Sequence, residues 1–262
     1  MEKPVGDSLV ILPTYNEAGN LEEIVSMILG HPGFDLLVID DNSPDGTGEI
    51  ADRLAGQFGD RLTVEHRQSR RGLGTALVAG FRSALLRGYR FIFQMDADLS
   101  HDPASLPEMR RALDEADVVI GSRYAAGGRS VSRSPWRSAL SQLGSGYSRL
   151  VLGLPVRDLT GGFKGFRREA VEAVMRRGIR STGFSVQMEV TYRCAQAGFD
   201  IVEIPTTFRD RTRGRSKISL GILGEAVLLV ARLRLSSGLT LLAGFVAAAA
   251  TAAAAADQKI CN

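Results

Sequence analysis

The sequence predicts an α/β fold, a central and mostly parallel sheet flanked by helices. Short apolar runs alternate with helical patterns through the first half. Polar clusters follow the strands directly, where a doubly wound sheet keeps its ligands. At 262 residues, with no linker between the halves, the chain suits one domain of ordinary core size, assigned to 1–217.

The elements follow in order. Strands are predicted at Leu9–Leu12, Leu36–Ile39, Leu62–Glu65, Phe91–Met95 and Val118–Gly121, each a short apolar run bounded by polar or turn residues. Helices fall between them at Leu21–Leu29, Thr47–Phe58, Thr75–Arg87 and Ala104–Glu115. The last begins with Asp102 as N-cap and Pro103 at the first helical position. The second half is less regular. A helix capped by Ser134, with Pro135 next, runs to about Leu152. A strand at Phe163–Phe166, helices at Glu169–Arg177 and Val186–Ala197, a strand at Ile201–Phe208 and a basic loop from Arg209 to Lys217 complete the domain.

Composition narrows the function. With 44% apolar and 23% charged residues, disorder and low-complexity fibres are excluded. Only four of the 32 basic residues are lysine (Lys3, Lys164, Lys217, Lys259), and arginine favours bidentate contacts to phosphate. The 29 acidic residues nearly cancel that charge, so small phosphorylated partners are expected and nucleic acid is not. Cys194 and Cys261 fit neither a disulfide framework nor a zinc-ligand spacing, which suggests a reducing compartment. No signal peptide is read at the start, since Met1 to Ser8 is polar.

Three polar clusters gather at one sheet edge: Pro13-Thr14-Tyr15-Asn16-Glu17, Asp40-Asp41-Asn42-Ser43 and Asp96-Ala97-Asp98. Alternate side chains of a strand point to opposite faces, so Asp96 and Asp98 can serve one site only if the chain bends at the strand end. Such oxygens suit Mg²⁺ or Mn²⁺, which usually complete their shell with substrate phosphates. Asp40 and Asp41 repel each other unless a ligand supplies donors, for which nucleobase and ribose hydroxyls are suitable. Pro44 to Thr47 reads as a turn entering a helix capped near Asp45. Gly72-Leu73-Gly74 reads equally as a tight turn and as a phosphate contact. Arg123 follows the fifth strand, and Arg137 and Ser141 lie one turn apart at the start of the helix capped by Ser134, a good anion site.

Several chemistries are excluded. An EF-hand loop fails at His101, where glycine is needed, and at Pro107, where glutamate is needed. A dinucleotide fingerprint fails at Leu77 and on the wrong strand. A haloacid-dehalogenase phosphatase would carry its Asp-x-Asp on the first strand. No G-x-S-x-G elbow is present, and no histidine is assigned to catalysis; His66 and His101 have no partner recognisable in the sequence.

Together, Leu12 to Glu17, Val38 to Thr47, Gly72 to Gly74, Met95 to His101 and Gly121-Ser122-Arg123-Tyr124 resemble the family 2 glycosyltransferases of the GT-A, Rossmann-like fold. Their order is most similar to the dolichol-phosphate (polyprenol monophosphate) mannose synthases, over roughly Leu9 to Leu235. The resemblance implies inverting transfer of mannose from GDP-mannose to polyprenyl or dolichyl phosphate. It implies that Pro13, Tyr15, Glu17, Asp40 and Asp41 hold the nucleoside, and that Asp96, Ala97 and Asp98 meet the diphosphate. Mg²⁺ or Mn²⁺ would be held by Asp96 and Asp98 and by Ser100, where family members often carry Gln. Arg123, Arg137 and Ser141 would hold the acceptor phosphate, and Arg213 and Lys217 match the mobile basic loop over the donor; Asp98 and Arg213 would be catalytic. Two rivals are a related transferase with another donor such as UDP-glucose, and a nucleotide-sugar binding protein without turnover. Processive polysaccharide synthases are excluded because Trp136 precedes Arg137, so the Q-x-x-R-W motif is missing.

The remaining chain points to a membrane surface. In 218–235, Ile222, Leu229 and Leu233 recur near helical spacing with Glu225, Arg232 and Arg234 as polar positions, as in an interfacial helix or a solvent-side core helix. In 236–262 an Ala-rich stretch belongs to a 22-residue uncharged run, Leu235 to Ala256, long enough for a marginal span. Arg232 and Arg234 before it favour the cytoplasmic face of the membrane.

Overall fold

In the computed structural model, which describes residues 6–131, 145–146 and 149–209, the run Leu9–Leu12 lies within strand β1 (Ser8–Thr14). Its side chains are apolar on both sides because both faces of the sheet are covered: Val10 and Leu12 join one core, Leu9 and Ile11 the other. β1 pairs in parallel with β2 (Phe34–Asp40) and β4 (Phe91–Gln94), and β2 with β3 (Leu62–His66). β5 (Val118–Ser122) pairs in parallel with β8 (Ile201–Pro205). Between β4 and β5 lies β7 (Lys164–Arg167), antiparallel to both. The seven-stranded order is β3-β2-β1-β4-β7-β5-β8, so the sheet is mostly parallel.

Helices α1 (Leu21–Leu29), α2 (Thr47–Phe58) and α4 (Leu106–Ala112) cover one face; α3 (Leu73–Arg87), α5 (Arg168–Arg177) and α6 (Val186–Gln196) cover the other. In α1 the buried residues Leu21, Ile24, Val25 and Ile28 recur at helical spacing, while Glu22 and Glu23 are exposed. From β1 the chain winds out to β2 and β3, then returns to β4 on the other side. That reversal opens a crevice at the carboxyl ends of β1 and β4.

Some elements depart from expectation. Asp102 does cap by accepting from the Ala104 N–H (3.0 Å), but a 3₁₀ turn (Pro103–Ser105) precedes α4, and the helix stops at Ala112, where an i−3 bond from Asp114 to Arg111 tightens the chain towards β5. Gly46, at φ 88°, is the N-cap of α2, while Asp45 accepts from the Thr47 N–H and hydroxyl. The expected strand Ile201–Phe208 is broken at Thr206, whose N–H donates to Ser122. Pro205 just before it has no N–H for the ladder. β9 (Thr207–Arg209) then pairs with the exposed β6 (Arg129–Val131) in a separate two-stranded sheet. β6 has no apolar run to announce it. Of the helix expected from Ser134, residues 145–146 and 149–152 are helical; its start, the basic loop beyond Arg209, the 218–235 helix and the 236–262 tail lie outside the described residues. Among the described residues no helix is long and apolar enough to cross a membrane.

Candidate active site at the sheet edge

Each of the strand-end clusters contains, or is followed directly by, one non-glycine residue in the left-handed region: Asn16 (φ 59°), Asn42 (φ 60°) and Leu99 (φ 61°), the complete set among the described residues. Each bend lets the chain leave its strand without entering the next helix at once. Asparagine tolerates this conformation because its short side chain hydrogen-bonds locally; leucine does not.

The first two clusters are stitched together. The Asn16 N–H donates to Ser43 Oγ (3.0 Å), Glu17 N–H to Thr47 Oγ1 (2.9 Å) and Ala18 N–H to Asp45 (3.2 Å). Asp40 accepts from Thr14 Oγ1 (3.2 Å), the Ser43 N–H (3.0 Å) and the Ser43 hydroxyl (2.6 Å). Asp41, also buried, accepts from Arg67 Nη1 (2.7 Å) and from the N–H groups of Arg71 (3.0 Å) and Gly72 (2.9 Å). Donors within the chain therefore offset the repulsion between these carboxylates. Asp41 fills the amide nest at the start of α3, where a bound anion would otherwise sit.

Packing gives the glycines of Gly72-Leu73-Gly74 a role of their own. The Gly74 N–H donates to the Thr182 carbonyl (2.8 Å), and a Cβ on Gly74 would lie 2.0 Å from the Ser181 carbonyl oxygen. Gly72 (φ 91°) is also crowded, its Cβ position 2.6 Å from the Thr182 oxygen. Close backbone approach accounts for both glycines. The 180–182 loop is in turn held by buried Glu189, which accepts from the Arg180 and Ser181 N–H groups and from Arg193. Burial would raise the Glu189 carboxyl; the Ser181 and Arg193 donors outweigh it and hold it below the usual range. Beside the edge, the Arg70 guanidinium lies 4.1 Å from the Tyr15 ring centroid.

The third cluster bends as its chemistry requires. β4 stops at Gln94, Met95 still donates to Ile11, and residues 97–99 turn away. Asp96 is partly exposed and Asp98 buried, with Asp98 Oδ1 accepting from the Ser100 N–H (3.0 Å). A Cβ on Gly162 would come within 3.2 Å of the Asp96 carboxylate, so glycine there makes room for it. Among the described residues no three His, Cys, Asp or Glu side chains form a closed metal cluster. A hard divalent ion that also binds substrate phosphates needs only one or two carboxylates. Asp96 and Asp98 fit that description, and the buried Ser100 Oγ, which finds no hydrogen-bond partner among the described residues, is a further hard oxygen in the same turn.

Arg123 stands differently from expectation. Its Nε and Nη2 donate to Asp158 (2.8 and 2.6 Å) and Nη2 also to Thr160 (3.0 Å), while its N–H donates to Asp158 as well. Asp158 is fully buried, and Glu203 fixes its loop by accepting from the N–H groups of residues 157 and 158. Burial would raise the Asp158 carboxyl, yet the Arg123 guanidinium holds it below the usual range. Asp96 adds to the field that keeps Arg123 protonated. Any anion reaching Arg123 must therefore share it with Asp158.

Sequence reasoning missed other groups. Lys164 is fully buried, donating to the Gln187 carbonyl (2.5 Å) and to Thr191 (2.8 Å); burial pushes its ammonium down to about 7. Gln94 donates to Gln187 and to the Gly162 carbonyl. His101, without a recognisable partner in the sequence, accepts from the Asp96 N–H (3.2 Å), and His66 pairs with Asp52 (2.8 Å). A signal for Asp158 existed in Asp158-Leu159-Thr160-Gly161-Gly162, a turn composition directly before a strand. Pro13, Tyr15, Glu17, Asp40, Asp41, Asp96, Ala97, Asp98 and Ser100 meet along the β1, β2 and β4 ends, with Arg123 on the β5 side. Arg137, Ser141, Arg213 and Lys217 lie outside the described residues.

Comparison with known proteins bears on the family and the fold. The family profile described as Glycosyl transferase family 2 matches residues 9–175. Polyprenol monophosphomannose synthase of Mycolicibacterium smegmatis is 44% identical over 232 residues, 87% of each chain. Undecaprenyl-phosphate mannosyltransferase of Micrococcus luteus is 44% identical over 225 residues, 86% of this chain and 92% of that one. A crystal structure of glucosyl-3-phosphoglycerate synthase from Mycobacterium tuberculosis, in complex with Mn²⁺, UDP and glucosyl-3-phosphoglycerate, shares the fold with a TM-score of 0.61 at 22% identity, covering 87% of this chain and 78% of that one.

Proposed function

Because the chain belongs to glycosyl transferase family 2, we propose that it moves mannose from GDP-mannose to a polyprenyl phosphate, with inversion at the sugar carbon, releasing GDP. The names of its two mannosyl-transferring relatives support the sugar and the acceptor. The observation that carries the reading is the convergence of the β1, β2 and β4 strand-end clusters on one crevice of a GT-A sheet.

In this reading Pro13, Tyr15, Glu17 and Asp40 hold the nucleoside, and Asp41 contributes by fixing the 67–72 loop beside it. Asp96, Ala97 and Asp98 face the diphosphate, with Asp96, Asp98 and Ser100 as holders of Mg²⁺ or Mn²⁺. The ion supplies charge neutralisation for the departing diphosphate. Arg123, Arg137 and Ser141 hold the acceptor phosphate, and Arg213 and Lys217 attend the donor. No strong base is needed, because a phosphate monoester with a second pKa near 6 is already anionic at neutral pH. What the chain provides is in-line placement and enough cationic charge to hold two mutually repelling anions together.

The assay is direct. The protein is incubated with Mn²⁺ or Mg²⁺, polyprenyl phosphate and a panel of radiolabelled GDP- and UDP-sugars, and the lipid phase is counted. Label is expected from GDP-mannose. Label from UDP-glucose alone overturns the donor, and no label with any sugar overturns the enzyme. In this reading the lipid acceptor calls for a membrane surface, which segment 218–235 would hold, and Arg232 and Arg234 before the uncharged run favour its cytoplasmic face. A chain ending at Leu235 is expected to stay on anionic liposomes, and one ending before Ile218 to leave them; release of the first would make the Ala-rich tail the anchor.

A further inference from the structure

The turn carrying Asp96 and Asp98 is closed from within. After Met95 the Asp96 N–H leaves the sheet ladder, and it finds its acceptor five residues on, at His101 Nδ1 (3.2 Å). Accepting there requires a lone pair on Nδ1, which places the ring proton on Nε2. The left-handed Leu99 turns the chain back so that this bond can form. The ring is almost wholly buried, stacked on Phe163 (centroids 5.3 Å, 24°) and met edge-on by Phe208 (5.7 Å, 63°). Phe208 in turn lies 5.0 Å from the Arg123 guanidinium, and the next residue, Arg209, donates its N–H to the Ser100 carbonyl (3.0 Å). Phe163, just before β7, and Phe208 of β9 thus brace one imidazole that grips the first residue of the turn.

We infer that His101 is a positioning residue: by locking the 96–101 turn it presets the separation of the Asp96 and Asp98 carboxylates for a divalent cation bound with a nucleoside diphosphate. This rests on the reading of these two carboxylates given above. Ligands held in place before binding lose less freedom when they bind, so unlocking the turn weakens affinity even though His101 touches neither ion nor nucleotide.

Two variants separate the grip from the bulk. His101→Phe keeps a ring between Phe163 and Phe208 and removes the acceptor; His101→Asn gives up the ring but can offer Oδ1 near the Nδ1 position. Binding of Mn²⁺ with GDP is followed by electron paramagnetic resonance and calorimetry, beside thermal unfolding. His101→Phe is expected to weaken Mn²⁺·GDP about tenfold, the scale of one lost hydrogen bond. His101→Asn is expected to recover most of that affinity. In turnover, the loss should appear in KM for GDP-mannose and not in KM for polyprenyl phosphate. Wild-type affinity in His101→Phe, or an equal loss in His101→Asn, overturns the inference. Should His101→Phe fail to fold, Phe208→Leu removes the brace and leaves the nitrogen; it is expected to weaken Mn²⁺·GDP less, and undiminished affinity there overturns the inference too. Wild-type protein that binds GDP with no dependence on Mn²⁺ removes the metal reading itself, a failure seen without any variant.

Discussion

The edge made by β1, β2 and β4 and the region built on β5, β7 and α6 hold charge with different mixtures of backbone and guanidinium donors. At the edge, Asp40 is held by a backbone N–H and two hydroxyls, Asp98 accepts from the Ser100 N–H, and Asp41 is held by two amides as well as Arg67. In the second region the partners are guanidinium groups inside the protein, Arg123 on Asp158 and Arg193 on Glu189, beside the buried ammonium of Lys164. Amides set a carboxylate's direction without adding a second buried charge. Ion pairs at depth leave an uncompensated charge when either member is lost. The first region is therefore suited to meeting ligands and the second to holding a shape.

The sharpest break of that contrast is Asp158→Ala. Leaving Arg123 buried without its carboxylate is expected to cost about 3–5 kcal/mol of stability in urea unfolding. A loss under about 1 kcal/mol would mean that the pair does not hold this region. Next is Asp98→Asn, which keeps the side-chain shape and an acceptor for the Ser100 N–H. Turnover is expected to fall at least about 100-fold while the urea midpoint stays near wild type. Undiminished activity in this variant, or full activity in excess EDTA, would dissociate the edge from the chemistry.

A smaller effect sharpens the comparison through pH. Lys164 faces Asp158, Cys194, Arg123 and Glu203, and its pKa is lowered from the ordinary 10.5 to about 7, chiefly by burial. Above pH 7 the unfolded chain keeps a proton that folded Lys164 gives up, so stability rises with pH. Cys194 acts in the opposite sense above pH 9, because burial pushes its thiol up to about 12. Between pH 7 and 9, wild-type stability is expected to climb relative to Lys164→Met in parallel urea titrations. A constant difference across that window would show that Lys164 stays charged inside the fold.

The two regions were unequally legible in the sequence. β1, β2 and β4 each contain an uninterrupted apolar run with a polar cluster close behind it, so the strands and a candidate site could be read from local pattern. β7 is Lys164-Gly165-Phe166-Arg167, a strand whose lysine points into the core, and its insertion between β4 and β5 depends on distant pairing that no local pattern encodes. The same holds for Asp158, whose partner Arg123 lies 35 residues away, and for β6, which is exposed throughout. At His101 the grip on Asp96 is short in sequence, but it depends on a left-handed leucine that sequence reasoning does not anticipate.

The place of β7 bears on how the protein is made. β4 and β5 are not neighbours; each borders β7, and the other partner of β5 is β8, so β5 has no strand to pair with until later segments leave the ribosome. A nascent chain that has emerged only through β5 can assemble β3-β2-β1-β4, with the buried row Phe91-Ile92-Phe93 on an open strand. Chaperone capture of ribosome-bound chains is therefore expected to peak for lengths that expose β4 but not yet Lys164–Arg167, and to fall once that strand can close the gap.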